Sequence, residues 1–301
     1  MIFVLFAAFA GAGTGPWTLD AGEHNAYVGV DYGQFQTIGR PGQDAAKLQT
    51  GLNAAQVTGV WTAGIIDGVD MELVVPLKRA WATDDRTSFC VQSRPDDWCE
   101  PTQGVGNVGL HFRGRLLSED NFRPITLSAR LGLRTGAAYA GQRGRLTTLG
   151  DGQTDLGAGL SIGRTGTAGK AWYRVSMAAD YWLRFRLATT DGRRVPGDEL
   201  AAGVDALGSP VPWLGMGVSA AGFHRLWGVG LGDVRLGDRD AWVSLAASHV
   251  RVGPKVAFYT KNHWTFFSTV QFTAAAKNAP SDMIWGTVGV GRFFRKPETT
   301  E

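Results

Sequence analysis

Charged side chains alternate with apolar ones along several stretches of this chain, and this spacing is the main candidate for chemistry. Within residues 108–116, Arg113 and Arg115 occupy alternate positions, between Phe112 and Leu116. Alternate side chains of a β-strand point to opposite faces, so the charges share one face and the apolar residues the other. The charged face predicted in this way comprises Asp70, Glu72, Arg113, Arg115, Arg130, Arg134, Asp155, Arg174, Asp180 and Arg184.

Two roles are open for this charged face. An Arg or Lys that faces lipid near the middle of a membrane costs ~2–4 kcal/mol, so in a membrane barrel the charged face must line the lumen. A basic lumen favours anionic solutes, as rings of basic side chains do in anion pores. Alternatively, a narrow barrel has little interior space, and arginines paired with carboxylates simply fill it.

Patterns for catalysis, cofactors and metals are weak. Ser248 and His249 are adjacent, so in a strand they point to opposite faces, and the same holds for Ser219 and His224. Residues 159–163 have Gly-x-Ser-x-Gly spacing, but they fall on the strand predicted at residues 156–162, so no strand-to-helix nucleophile elbow is expected. Residues 104–109 match a dinucleotide-binding fingerprint, but they lead into a strand pattern where that motif needs a helix. The histidines show no metal-ligand spacing, so we expect no enzyme activity, no cofactor and no metal.

The elements that position the charged face are predicted from the same alternation. It indicates an all-β chain, and no segment with a helical period is long enough to cover a sheet. We therefore predict a transmembrane antiparallel β-barrel of about twelve strands. They lie near residues 26–35, 55–65, 69–79, 108–116, 125–133, 156–162, 171–186, 199–207, 213–223, 241–259 (with a bulge at 253–254), 264–276 and 283–294.

The lengths of the connections favour a membrane barrel over a sandwich. Connections after even strands are brief, at residues 67–68, 118–123, 165–170, 208–212 and 260–263. Those after odd strands are long, at residues 36–50, 80–103, 137–152, 187–198 and 224–240, with only residues 277–282 short. Outer-membrane barrels alternate short periplasmic turns with long extracellular loops, so this alternation predicts the bacterial outer membrane.

Composition and the chain ends agree with an exported barrel. The chain has 42 glycines, 11 tryptophans and a net charge of +3, with no basic cluster that would indicate nucleic-acid binding. Residues 1–13 are predicted to be a signal peptide and residues 14–24 an N-terminal periplasmic segment. Residues 25–295 are predicted to form the barrel, and residues 296–301 a polar tail.

A polar loop contains both cysteines of the chain. Cys90 and Cys99 are close in sequence, and in an exported protein this spacing predicts one local disulfide. The loop also carries an acidic run, which could bind calcium or a partner or could simply be solvated. A closed structural or adhesive barrel with partner-binding loops is therefore the alternative function, and a lipid hydrolase on the barrel wall is a weaker one.

Four glycine-rich and turn motifs resemble those of a known family. They are residues 64–77, 104–110, 133–136 and 149–158. They look like the outer-membrane transporter family named for the meta-pathway of phenol degradation, which is distantly similar to fatty-acid and aromatic-hydrocarbon channels. The resemblance implies a β-barrel transporter or channel and supplies no binding residues. We expect passive uptake of small, anionic or aromatic and hydrophobic solutes, with the lipid bilayer and the solute as partners.

Overall fold

The structure is a computed structural model that describes residues 15–40, 43–83, 100–135, 154–185, 197–228 and 246–295. Within these residues, no helix is long and apolar enough to cross a membrane. The described elements are strands and one 3₁₀ turn (Glu119–Asn121). The strands are β1 (His24–Arg40), β2 (Gln43–Ile66), β3 (Val69–Ala82), β4 (Thr102–Val105), β5 (Gly109–Leu117), β6 (Thr126–Arg134), β7 (Thr154–Ala168), β8 (Ala171–Phe185), β9 (Glu199–Ser209), β10 (Leu214–Arg225), β11 (Ser248–Tyr259), β12 (Trp264–Lys277) and β13 (Ile284–Phe294).

The strands form one closed antiparallel barrel. Apart from β4 and β5, strands that follow one another in the chain pair with each other, and β1 pairs with β13 to close the sheet. Both β4 and β5 pair with β3, at different heights, so they are two parts of one strand position. The 13 strands therefore occupy twelve positions around the barrel. The predicted all-β barrel of about twelve strands is confirmed.

The outer face of the barrel is apolar. Val28, Met177 and Val288 point outward from β1, β8 and β13 and are 49%, 51% and 56% exposed. A closed barrel satisfies its backbone hydrogen bonds between strands, which is the condition for crossing lipid without a helix. A closed barrel with an outward apolar belt belongs in the bacterial outer membrane, as predicted from the sequence.

Two predicted connections are wrong in length. The loop predicted at residues 36–50 is mostly strand, because β1 continues to Arg40 and β2 begins at Gln43. This hairpin extends beyond the end of the β1–β13 pairing at Gln34, and its own ladder holds it together. The turn predicted at residues 165–170 is also shorter than expected, since β7 continues to Ala168.

The predicted tenth strand needs two corrections. Its counterpart, β11, begins at Ser248, and residues 246–247 just before it are not strand. The predicted start near residue 241 lies outside the described residues. The register shift against β12 falls between Val250 and Arg251, and residues 253–254 pair with β10 without interruption. The bulge predicted at residues 253–254 is therefore wrong in position.

The two ends of the barrel differ. One end, which we name the short-turn end, carries the connections at residues 67–68, 118–125, 169–170, 210–213 and 260–263. The start of β1 and the end of β13 lie at the same end. The opposite end is named the long-loop end, and most of its connections lie outside the described residues.

Candidate functional site in the barrel lumen

The charged residues singled out in the sequence share the inner face of the barrel. Residues directly opposite on neighbouring strands point to the same side. Asp70 is opposite Arg113, which is in turn opposite Arg130 on β6. Asp155 on β7 is opposite both Arg134 and Arg184. The same registers place Glu72, Arg115, Arg174 and Asp180 on this face.

An ion-pair network covers the inner face from β3 to β9. Arg113 donates from Nε and Nη2 to both carboxylate oxygens of Asp70, at 3.0 and 2.7 Å. Arg184 lies between two carboxylates, 3.2 Å from Glu199 and 3.8 Å from Asp155. The Coulomb attraction within each pair opposes the cost of removing its charges from water, most effectively where two hydrogen bonds form, as between Arg113 and Asp70. Two further pairs complete the network: Arg130–Asp180 at 3.4 Å and Arg134–Glu199 at 3.5 Å.

Trp182 fills the space beside this network. Its side chain is 2% exposed, and the Arg134 guanidinium lies 3.5 Å from the centre of its ring. His111 meets the same ring edge-on, with ring centres 5.6 Å apart. Glu72 is buried and faces His111 across the β3–β5 pairing. This half of the lumen is therefore occupied by protein.

The chain that precedes β1 lies against the same inner wall. We name residues 15–23 the N-terminal segment. The carbonyl of Gly15 accepts a hydrogen bond from Arg113 Nη1 at 3.0 Å, and the backbone N–H of Leu19 donates to Asp70 Oδ2 at 3.0 Å. The Arg113–Asp70 pair therefore binds the segment at two points. Further contacts are the Ser128 hydroxyl donating to the Pro16 carbonyl, the Ala21 N–H donating to Asp67 Oδ1, and Arg115 lying 3.7 Å from Asp20.

Glycines on the inner face make room for the segment. A Cβ atom at Gly163 would lie 2.7 Å from the ring of Trp17, and one at Gly64 would lie 1.9 Å from the carbonyl oxygen of Asp20. The Trp17 ring is also near Arg174, whose guanidinium carbon is 3.8 Å from the ring centre. The segment thus fits a surface that is shaped for close approach of its backbone and indole.

A cavity remains beside the segment, along β8–β13 and β1. Its volume is about 290 Å³, and an apolar cavity of ~150 Å³ is enough to hold benzene. The cavity extends from Asp31 and Trp285, near the middle of the barrel, to Tyr259 and Phe293 at the short-turn end. Its wall is both aromatic and charged, with Tyr27, Phe267, Arg174, Asp205, Arg251 and Lys255 among its other lining residues.

The structure also places a serine beside a histidine in a pair that the sequence analysis did not predict. His224 Nδ1 lies 2.6 Å from the Ser248 hydroxyl, because the two residues are opposite each other on β10 and β11. The sequence signal was incomplete, since the register of two strands separated by a long loop is not visible in their spacing. The pair is exposed at the long-loop end.

The predictions about metal sites, the disulfide and the two chain ends concern residues away from this lumen network. Among the described residues, no cluster of His, Asp and Glu could hold a metal ion. Cys90, Cys99 and the acidic run at 84–99 lie outside the described residues, as do residues 1–13 and 296–301. The disulfide, the signal peptide and the polar tail therefore stay predictions.

Comparison with known proteins supports the fold. No family model and no curated protein matches the chain. The chain is similar to an outer membrane channel from Pseudomonas putida F1, with a TM-score of 0.69, 13% identity, and coverage of 94% of this chain and 99% of that one. It also aligns with the NanC porin, at a TM-score of 0.47, 6% identity, and coverage of 88% and 98%. The value for the porin is too low to support an argument.

These neighbours bear on the family resemblance only at the level of the fold. The outer membrane channel from Pseudomonas putida F1 is 13% identical to this chain, so the likeness shows the fold alone. This agrees with the wider group that the glycine and turn motifs resemble. Membership of the phenol-pathway transporter family stays a prediction.

Proposed function

We propose that this protein is a passive outer-membrane channel for small solutes, which cross through the part of the lumen that the N-terminal segment leaves empty. The cavity of about 290 Å³ beside the segment carries this proposal. It runs from the middle of the barrel to the short-turn end, so it supplies the part of a path along the barrel axis that is nearest to that end. A rigid closed barrel needs no moving domain for transport down a gradient.

The charges in the cavity favour small anions over small cations. Three cationic side chains line it (Arg174, Arg251 and Lys255) against two carboxylates (Asp31 and Asp205), which leaves a net charge of 3 − 2 = +1. The arginines on the opposite wall contribute little, since carboxylates neutralise them. The expected anion preference is therefore weak and comes from the cavity side chains.

The aromatic wall supports aromatic solutes. Tyr27 and Phe267 lie with ring centres 5.0 Å apart, and Tyr259 meets Trp172 edge-on at 5.7 Å. A planar solute in the cavity would contact these rings, and such ring pairs add about 0.5–1.5 kcal/mol beyond their buried area. The motifs that resemble those of the phenol-pathway transporters agree with this class of solute.

Single-channel conductance of the refolded, detergent-purified protein in a planar bilayer tests the proposal. We expect small discrete steps and, in a salt gradient, a reversal potential that indicates weak anion selectivity. A heat-dependent shift in gel mobility must first show that the barrel is folded. A folded barrel that never conducts would contradict the channel and favour a structural or adhesive barrel, whose loops would then be assayed for partners.

A further inference from the structure

We propose that Arg174 and Tyr259 form a constriction at the short-turn end that binds the carboxylate of a small aromatic acid. The proposal rests on the channel function proposed above and specifies the class of solute. Arg174 provides the charge that recognises the carboxylate, and the neighbouring rings recognise the aromatic group.

Arg174 and Tyr259 stand where two cavities meet. The lumen cavity of about 290 Å³ reaches both side chains. A second pocket, of about 520 Å³, lies under the β7–β8 hairpin and Pro212 at the short-turn end, and the same two side chains line it. No other described residue lines both spaces. A solute that leaves the lumen by this route must pass between Arg174 and Tyr259.

The environment of Arg174 differs from that of the arginines on the opposite wall. Arg113, Arg130, Arg134 and Arg184 each lie within 4 Å of a carboxylate, as does Arg115. Within the described part of the chain, Arg174 forms no such pair, and its side chain is exposed to the lumen.

Two carboxylates line the cavity with Arg174, and Asp205, the one whose charge acts on Arg174, is engaged by another cation. Asp205 accepts from Lys255 Nζ at 2.8 Å. The contact of Arg174 is the ring of Trp17, which brings no negative charge. Stacking uses the face of the guanidinium and leaves the N–H groups at its edge, and that edge matches a carboxylate through two parallel hydrogen bonds.

The surrounding rings fit the rest of such a molecule. Trp172 donates from Nε1 to the carbonyl of Val211 at 3.0 Å, which fixes the indole against Tyr259. Tyr27 and Phe267 follow further along the same wall. One ring and one carboxylate fall within the size of the cavity, because benzene needs roughly half of its volume.

Benzoate is the probe that tests this site. Binding of benzoate to the full-length barrel in detergent is measured by quenching of tryptophan fluorescence, beside the neutral benzyl alcohol and the cationic benzylammonium. We expect Arg174→Gln to weaken benzoate binding by about ten-fold or more, since a hydrogen-bonded charge pair is lost, and to leave benzyl alcohol nearly unchanged. Arg174→Lys keeps the charge without the planar fork, so we expect an intermediate loss.

A matched control lies on the opposite face of the neighbouring strand. Arg164 is near the same end of the barrel but points outward from β7, opposite Val175, so Arg164→Gln removes the same charge outside the lumen. We expect this variant to bind benzoate like the parent protein. Equal losses in Arg164→Gln and Arg174→Gln would overturn the proposal, because the effect would then come from net charge alone.

The same variants in a planar bilayer separate the two proposals. A parent protein that conducts in the bilayer, but binds benzoate no more tightly than benzyl alcohol in the fluorescence assay, would overturn the constriction and leave the channel in place. A barrel that binds benzoate through Arg174 but never conducts would overturn the channel and keep the site. A reversal potential in sodium benzoate that shifts toward cations in Arg174→Gln, and not in Arg164→Gln, is the expected result.

Discussion

At the scale of single residues, one ion pair connects the barrel wall to its contents. The Asp70 and Arg113 side chains are 1% and 11% exposed, and each also binds a backbone group of the N-terminal segment. The sequence predicted that both side chains share a face. It could not predict that they form a pair, because the partner of a charge depends on strand register.

Loss of one partner of this pair should destabilise the barrel. In Arg113→Ala, Asp70 remains buried without its counter-ion, and breaking a buried pair in this way costs about 3–5 kcal/mol. We expect the folded form to be lost at a lower temperature than in the parent protein, measured by gel mobility after heating in detergent.

The control for this prediction is the double variant Arg113→Gln with Asp70→Asn. It keeps the shape of the pair without either charge, so it should recover part of the lost stability. Equal unfolding temperatures for Arg113→Ala and the parent protein would contradict a stabilising role for the pair.

At the scale of elements, alternation predicted the strands because the apolar outer face repeats along nearly every one of them. It failed at residues 36–50, where the hairpin extends past the barrel and needs no apolar face. Asp282 supports the base of that hairpin by accepting from the backbone N–H groups of Gln36 and Thr37, at 3.0 and 2.8 Å. A contact between residues so far apart leaves no local pattern in the sequence.

The location of the N-terminal segment in the lumen also could not be predicted from the sequence. Its main contacts use backbone groups, such as the carbonyls of Gly15 and Pro16, and any residue type carries these. The glycines that admit it, Gly64 and Gly163, could have been a signal. In a chain with 42 glycines, however, that signal does not stand out.

Removing the N-terminal segment should enlarge the conducting path. Deletion of residues 15–19 takes away Trp17 and the groups bound to Arg113 and Asp70, so we expect larger single-channel steps.

The substitution Gly163→Ala should also enlarge the steps, since its Cβ would collide with Trp17 and Pro16. At Gly114 a Cβ meets nothing within 4 Å, so Gly114→Ala is the control. Unchanged steps in the deletion variant would mean that the segment does not limit the current.

At the scale of the whole molecule, closure of the sheet allows the protein to reside in a membrane. The β1–β13 pairing runs from His24 and Phe294 to Gln34 and Ile284 and leaves no free edge along the membrane-facing part of these strands. The sequence was sufficient to predict this, since strand count and the parity of the connections both follow from spacing alone.

A closed barrel of this kind should remain folded in detergent until it is heated. We expect the unheated protein to migrate faster than the boiled protein on a gel, because the folded barrel stays compact until heat breaks its continuous ladder. The protein should also require detergent to stay in solution, as its outer belt is apolar. A protein that is soluble without detergent and shows a single mobility would contradict the membrane barrel.

The covalent link between the N-terminal segment and β1 determines how the lumen can open. Gly22 and Glu23 are hydrogen-bonded to Gly64, just before β1 begins at His24, so a released segment stays beside its binding surface. A short tether of this kind holds a ligand at an effective concentration on the order of millimolar. Rebinding is then a first-order event within one molecule, independent of how much protein is present. A soluble competitor with the same intrinsic affinity as the segment, acting at micromolar concentration, would therefore displace the segment only rarely.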